Sequence, residues 1–227
     1  MRLFWYWLKG ILFPRRCILC RSFLKDHETD LCHECRQSAP SYPFGAGNPD
    51  PSGKISGQFL DSFTAVWYYE GNARASILRF KFHGAGQYAA AYGRLLAMKL
   101  CREHPEGFDM VTWVPISRRR RWTRGYDQSQ LLADAVCREL GMEAIPLLRK
   151  VRNNKRQSGM PAEQRKANVL GAYSAVNREA LAGKRILLLD DVFTTGSTAE
   201  ECARVLLTAG AGEVHGAAVA AAQKHEK

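Results

Sequence analysis

One segment of the sequence constrains the fold more than any other, residues 186–199, which read Ile-Leu-Leu-Leu-Asp-Asp-Val-Phe-Thr-Thr-Gly-Ser-Thr-Ala. The apolar run before Asp190 is typical of a strand that is buried on both faces of a sheet. Two adjacent carboxylates and a small, hydroxyl-rich turn follow the run, and a helix begins on the far side of the turn. The segment therefore predicts one strand–turn–helix unit of a parallel sheet.

The chain beyond residue 58 repeats this alternation of short apolar runs and amphipathic segments. Helical periodicity predicts helices over residues 72–83, 88–102, 128–140 and 197–208, and apolar or β-branched runs predict strands over 63–69, 110–114, 145–148, 185–189 and 214–221. Residues 149–168 are polar, basic and without pattern. Strands that alternate with helices predict an α/β domain with a mostly parallel sheet flanked by helices.

The turn after the acidic pair has the composition of a phosphate site. It offers backbone N–H groups, a helix N-terminus and several hydroxyls, and ligands of parallel sheets bind at the carboxyl ends of strands. Two carboxylates would repel a phosphate but suit the vicinal hydroxyls of a sugar. The segment thus predicts a ribose 5-phosphate ligand, with the ribose on Asp190 and Asp191 and the phosphate on Thr194, Thr195, Gly196, Ser197 and Thr198. The simpler alternative is a capped helix and a solvated acidic pair.

A second motif lies near the amino end, where Cys17-Ile-Leu-Cys20 and Cys32-His-Glu-Cys35 are separated by eleven residues. Two C-x2-C knuckles supply four thiolates, the ligand set of a closed, tetrahedral, structural Zn²⁺ site. Four thiolates leave no open coordination position, so a catalytic metal is not expected. The alternative is paired structural cysteines. A segment of about 40 residues needs such a staple in order to fold.

These motifs together resemble a known family. Residues 186–199 resemble the signature of type I phosphoribosyltransferases, which bind 5-phosphoribosyl-1-pyrophosphate (PRPP), and the whole chain is similar to the ComF/GntX family of competence-associated, phosphoribosyltransferase-like proteins. Three further stretches carry the resemblance: Tyr69-Glu-Gly71 with Arg74 and Lys81-Phe-His-Gly84; Val114-Pro115 with Arg124-Gly-Tyr-Asp-Gln-Ser129; and Arg152, Gln157 and Arg165 with Asn168-Val-Leu-Gly-Ala-Tyr173. Asp127 stands where the family more often has Asn.

The resemblance implies a function in nucleotide metabolism and in DNA uptake or DNA utilisation. The chain would bind PRPP with Mg²⁺ and transfer the phosphoribosyl group to an unknown acceptor, with release of pyrophosphate. The sequence assigns no catalytic residue. The alternative is a non-enzymatic accessory factor of DNA uptake, which binds single-stranded DNA on a phosphoribosyltransferase scaffold and contacts membrane-associated DNA-uptake proteins.

Charge is concentrated in the middle of the chain. The protein has 33 basic and 22 acidic residues, a net charge of +11, which favours anionic partners. Residues 115–168 hold thirteen Lys or Arg and five Asp or Glu, so eight of these charges (13 − 5) lie there.

The resemblance implies that the loop after Val114 is the pyrophosphate loop and that 149–168 is a mobile hood, with anion-binding candidates Arg118, Arg119, Arg124, Arg152 and Arg165. The same arginines, with Trp113, Trp122 and Tyr126, could instead bind single-stranded nucleic acid, or form a solvated face.

Composition divides the chain into three parts. We expect an apolar helix and zinc ribbon over residues 1–39, a Pro/Gly-rich linker over 40–57 and a phosphoribosyltransferase-like domain over 58–227. Residues 1–13 are apolar and aromatic, have no signal-peptide cleavage site, and would dock on the body of the protein or present a patch to a partner or membrane surface. No apolar run reaches the 18–20 residues, roughly, that span a bilayer. This excludes an integral membrane protein. Seven cysteines without an export signal favour the reduced cytoplasm over a disulfide framework. The sequence therefore predicts a cytoplasmic protein, or in the alternative one that is peripheral at the inner face of the membrane.

Overall fold

The computed structural model describes residues 15–43, 58–152 and 168–222. In chain order its elements are α1 (His33–Ser38), β1 (Ser62–Tyr68), α2 (Gly71–Phe82), α3 (Tyr88–Glu103), β2 (Met110–Trp113), α4 (Arg118–Arg124), α5 (Gln128–Leu140), β3 (Leu148–Lys150), β4 (Tyr173–Ala175), a 3-10 helix (Arg178–Leu181), β5 (Arg185–Phe193), α6 (Ser197–Thr208) and β6 (Glu213–Ala221).

Four of these strands form a parallel sheet in the order β1-β6-β5-β2. The strands β3 and β4 form a separate antiparallel pair. The predicted α/β class, a parallel sheet flanked by helices and preceded by a cysteine-rich ribbon, is confirmed.

The core has two halves, one on each face of this sheet. Leu187 and Leu189 of β5 are buried with residues of α2, α3 and α5, whereas Ile186 and Leu188 are buried with residues of α6. A strand whose side chains are enclosed on both faces reads as a continuous apolar run, which is why the sequence pattern identified it. The ends of the central strands are thereby fixed on both sides.

Capping residues determine where the helices near the sheet edge begin and end. The carboxylate of Asp127 accepts hydrogen bonds from the N–H groups of Ser129 and Gln130 at 3.1 and 3.3 Å, so it starts α5. Gly141, at φ +67°, ends α5 in the left-handed conformation that favours glycine. The helix bounds predicted by periodicity are therefore close to those observed.

The structure corrects the sequence reading at three places. The arginine run expected in a loop forms α4, because Ser117 caps it and arginine is a good helix former. The central strand continues four residues further, to Phe193, and so includes Asp190 and Asp191. The strand expected over 145–148 lies instead at Leu148–Lys150, paired with β4, while the Ile145 N–H bonds the Val111 carbonyl of β2.

The ribbon packs directly on the body of the protein. Ser76 and Arg79 of α2 donate hydrogen bonds to the Ile18 carbonyl, and Arg94 of α3 forms an ion pair with Asp30 at 2.5 Å. The division into three parts remains a prediction.

The first residues of the predicted linker also lie against the sheet. Tyr42 is buried and Ser41 bridges to Trp67 of β1. The rest of the linker, residues 44–57, and the apolar segment 1–13 lie outside the described residues. None of the helices within the described ranges is long and apolar enough to cross a membrane.

Candidate functional site

The carboxyl ends of all four parallel strands lie at one edge of the sheet, because the strands run in the same direction. The segments that leave this edge are the start of α2, the residues leading to α4, and the turn between β5 and α6. Ligands of open α/β sheets bind at such an edge. The acidic pair and the hydroxyl-rich turn identified in the sequence both lie here.

Asp190 and Asp191 are held by contacts from two helices. The hydroxyl of Ser129, at the start of α5, donates to Asp190 Oδ1 at 2.8 Å, and the Asp191 N–H donates to the same oxygen at 2.8 Å. Lys81, in the last turn of α2, places its Nζ 2.8 Å from Asp191 Oδ1. The two carboxylates are thus oriented by hydrogen bonds and joined to one ammonium group.

Burial and mutual repulsion change the titration of this group. Burial, followed by the charge of Asp191, raises the pKa of Asp190 to about 7, although Lys81 and the Ser129 hydroxyl act in the opposite direction. Burial by itself lowers the pKa of Lys81, but the carboxylates of Asp191 and Asp190 outweigh it and raise that pKa above its usual range. Burial and the second carboxylate thus favour the protonated form of Asp190, and the ammonium of Lys81 opposes them.

The turn at Thr194–Ser197 leads directly into α6. Gly196 adopts φ +69° and is the N-cap residue of this 12-residue helix, and no side chain caps the helix. Thr194 is exposed, and the hydroxyls of Thr195 and Ser197 lie 2.9 Å apart. Backbone N–H groups at a helix N-terminus, together with hydroxyls, suit a phosphate group. Thr198 follows in the first turn of the helix.

The predicted anion-binding arginines have different positions in the fold. Arg118, Arg119 and Arg124 belong to α4, which begins shortly after the end of β2. Arg152 follows β3, and its guanidinium donates to the Leu170 carbonyl at 2.5 Å, so this guanidinium is engaged by the backbone. Arg165 lies outside the described residues.

Lys150 of β3 is a cation that the sequence pattern does not single out. Its Nζ donates to the Tyr173 hydroxyl of β4 at 3.0 Å and lies 4.9 Å from the centre of that ring. Burial, and then the charge of Arg120, lower the pKa of Lys150, whereas Asp190 acts to raise it. Nothing in the basic stretch distinguishes this lysine before its strand pairing is known.

Lys81 and Ser129 belong to segments that carry the family resemblance, but no sequence pattern predicted their contacts with the acidic pair. Asp127, the residue that departs from the family pattern, caps α5 and also accepts from the Ile116 N–H at 3.1 Å. Burial raises the pKa of Asp127. Because Asn is an equally good N-cap residue, the departure leaves the cap intact.

The four cysteines of the ribbon form a separate cluster. The sulfur atoms of Cys17, Cys20, Cys32 and Cys35 all lie within 4.8 Å of one another, and none of these residues is in a disulfide. The Sγ atoms of Cys20 and Cys32 are 3.6 Å apart. Four sulfur ligands at about 2.3 Å from a tetrahedral Zn²⁺ would be about 3.8 Å apart, so the cluster has dimensions that fit this metal.

Comparison with known proteins agrees with this architecture. Residues 127–227 match the family model described as "Phosphoribosyl transferase domain". The chain is 29% identical over 221 residues to "Competence protein F" of Haemophilus influenzae, covering 89% of this chain and 95% of that protein. It is 30% identical over 216 residues to "DNA utilization protein YhgH" of Salmonella typhi, covering 88% and 94%.

Two further matches have lower identity or cover less of the chain. "Competence protein ComFC" of Bacillus subtilis is 27% identical over 195 residues, covering 86% of this chain and 78% of that protein. Among solved structures, the glutamine PRPP amidotransferase of B. subtilis matches with 25% identity and a TM-score of 0.43, covering 62% of this chain and 30% of that one.

The fold and the matched domain define a phosphoribosyltransferase-like protein with a cysteine ribbon at its amino end. Since two relatives named for competence and for DNA utilisation each align with nearly the whole chain, the assignment can be made more narrowly. The chain belongs to the ComF family.

Proposed function

We propose that the carboxyl edge of the sheet binds PRPP and that the protein transfers its phosphoribosyl group to an acceptor, with release of pyrophosphate. The observation that carries this proposal is the position of the oriented Asp190–Asp191 pair directly before the α6 N-terminus. A ribose 5-phosphate needs hydroxyl acceptors and a phosphate cradle side by side, and this edge offers both.

In this proposal each group has a distinct task. The carboxylates accept hydrogen bonds from the ribose hydroxyls, and residues 194–198 hold the 5-phosphate. PRPP would enter as its Mg²⁺ complex, and the metal would supply charge neutralisation of the pyrophosphate. Lys150 and the basic residues of α4 lie on elements next to this edge and supply further positive charge. Displacement at the anomeric carbon passes through an oxocarbenium-like state, so catalysis consists of positioning and charge neutralisation.

The ribbon completes the proposal as a structural zinc site formed by Cys17, Cys20, Cys32 and Cys35. By analogy with the names of its relatives, the protein would act in DNA uptake or DNA utilisation.

Thermal unfolding tests the PRPP site. Ligand at about 100 times its Kd stabilises a protein by about 2.7 kcal/mol, which raises Tm by about 5–10 °C for a chain of this size. We expect this shift with Mg–PRPP and with ribose 5-phosphate for the wild type, and its loss in D190N/D191N. The matched control is Asp109→Asn, because Asp109 precedes β2 at the opposite edge of the sheet. No shift in the wild type at millimolar ligand would contradict the proposal.

A second candidate function is binding of single-stranded DNA. The observation in its favour is Trp122 of α4, which is 87% exposed beside the exposed Arg121. Base stacking on an exposed aromatic ring contributes about 1–3 kcal/mol, and the backbone phosphates are neutralised by nearby arginines. Trp122→Ala should therefore weaken oligonucleotide binding.

Salt dependence separates the two functions of α4. Log affinity for single-stranded DNA should fall with log salt by about 0.7 per phosphate contact, so replacing Arg118–Arg121 by Ala should reduce the slope by up to about 3. If these arginines serve pyrophosphate, the same variant should weaken PRPP binding far more than ribose 5-phosphate binding. Because both anions would share one cleft, oligonucleotide and PRPP should compete. Undiminished binding of both at saturation would exclude a shared cleft.

A further inference from the structure

Lys81 is the cation in direct contact with the acidic pair among the described residues. Its Nζ lies 2.8 Å from Asp191 Oδ1, and the side chains of the two residues are only 20% and 10% exposed. Asp191 is linked in turn to Asp190 through its own N–H, which donates to Asp190 Oδ1. The ammonium, the two carboxylates and the Ser129 hydroxyl therefore form one connected, largely buried group.

The chemistry of a ribose ligand makes the ionisation of this group important. A vicinal diol donates two hydrogen bonds and requires acceptors, and an ionised carboxylate is acceptor-only, whereas a protonated one presents a donor. Two adjacent carboxylates repel each other and hold a proton unless a nearby cation compensates their charge. A resident cation therefore favours the acceptor form of the pair before the diol arrives.

We propose that Lys81 is a positioning residue that favours the ionised form of the Asp190–Asp191 pair and orients the two carboxylates as acceptors for the ribose hydroxyls. This inference rests on the proposed PRPP site and extends it, because it gives the lysine at the end of α2 a role in ligand affinity. Lys81 does not have to touch the ligand. Its effect reaches the ribose through the carboxylates.

Other charged and titratable groups surround the acidic pair and also influence its ionisation. They come from every element packed around the pair: Tyr69 before α2, Tyr92 of α3, Arg120 of α4, Asp127 before α5, Lys150 of β3, Tyr173 of β4 and Cys202 of α6. Asp127 adds negative charge, and Lys150 with Arg120 adds positive charge. These groups are the same in wild type and in Lys81 variants, so a difference between the two isolates the lysine.

The test is the pH profile of ribose 5-phosphate affinity, measured without added divalent metal for wild type, Lys81→Met and Lys81→Arg. Methionine retains the length of the side chain and removes the charge. A cation this close to a carboxylate shifts its pKa by about 1–3 units. In K81M, the pH at which ribose 5-phosphate affinity is half-maximal, called the midpoint below, should therefore move upward by about 1–3 units. Affinity should recover at high pH. K81R should keep the wild-type midpoint, since it restores the cation.

Lys184→Met is the matched control, because it removes the same charge from the opposite edge of the sheet, where Lys184 is exposed near Asp109. Its midpoint should equal that of the wild type. An unchanged midpoint in K81M, or an equal loss of affinity at every pH, would overturn the role of Lys81 alone. If K81M does not fold, Lys81→Gln takes its place with the same expectation. Absence of ribose 5-phosphate binding in the wild type at every pH would overturn the proposed site as well.

Discussion

At Asp190 the stability of the folded protein favours a neutral side chain, whereas the proposed ribose site requires an ionised carboxylate. Asp190 lies in β5, where the residues before it are fully buried and the next residue is a second carboxylate. Its pKa of about 7 lies well above the usual value for aspartate. Between about pH 4 and pH 7 the folded protein therefore holds a proton at Asp190 that the unfolded chain has already released. Over this window the contribution of Asp190 to the stability of the ligand-free protein falls as pH rises.

Asp190→Asn should relieve this cost. Asn resembles the protonated side chain, and its oxygen can still accept from Ser129 and from the Asp191 N–H. We expect D190N to raise the free energy of unfolding by up to a few kcal/mol at pH 8 and by much less at pH 5. Urea unfolding at both pH values, with Asp109→Asn as control, measures the difference. A gain that is equal at the two pH values would contradict the assigned pKa.

The sequence identified Asp190, Asp191 and the turn because local order alone brings them together. Lys81 and Asp191 are far apart in the chain, and their contact depends on how α2 packs against the sheet. No local pattern contains that information. The same holds for Lys150, whose neighbour Tyr173 is known only once β3 pairs with β4.

Among the elements, α2 joins the ribbon to the candidate site. Arg79 donates to the carbonyls of Ile18 and Leu19 at 2.9 and 2.6 Å, and these residues lie between two cysteines of the cluster. Two residues further along the same helix, Lys81 reaches Asp191. Movement of the ribbon would therefore disturb the position of the lysine.

Loss of zinc from the ribbon should weaken ligand binding at the carboxyl edge of the sheet. Purified protein should hold about one zinc per chain, and Cys32→Ser should lose this zinc together with part of the ribbon's stability, since metal binding and folding of such segments are coupled. We expect C32S to reduce the Tm shift produced by ribose 5-phosphate. The control is Cys101→Ser, because Cys101 is exposed and outside the cluster. A full shift in zinc-free C32S would show that the ribbon and the site are independent.

Sequence periodicity predicted the longer elements and failed at the short ones. Helices α3, α5 and α6 each present a continuous buried face over 12 to 16 residues, so their pattern is read with little ambiguity. The seven residues of α4 are mostly arginine and carry no apolar face, and β3 and β4 have three residues each. Their conformations depend on a cap and on pairing with distant residues.

At the scale of the whole molecule, the strand order β1-β6-β5-β2 places the last strand of the chain beside the first. The sequence predicted parallel strands but contains no signal for this order, because it results from contacts between the two ends of the domain. The order puts β5 in the interior of the sheet, next to β2 on one side and β6 on the other. The acidic pair is consequently flanked by the chain segments that follow β1 and β2.

A crystal structure of the protein with ribose 5-phosphate tests the proposed site most directly. We expect the phosphate to bind at residues 194–198 before α6, and the two ring hydroxyls to lie within hydrogen-bond distance of Asp190 and Asp191. A ligand bound elsewhere, or bound at this edge with its phosphate beside α4 and its hydroxyls away from the acidic pair, would contradict the proposed PRPP site.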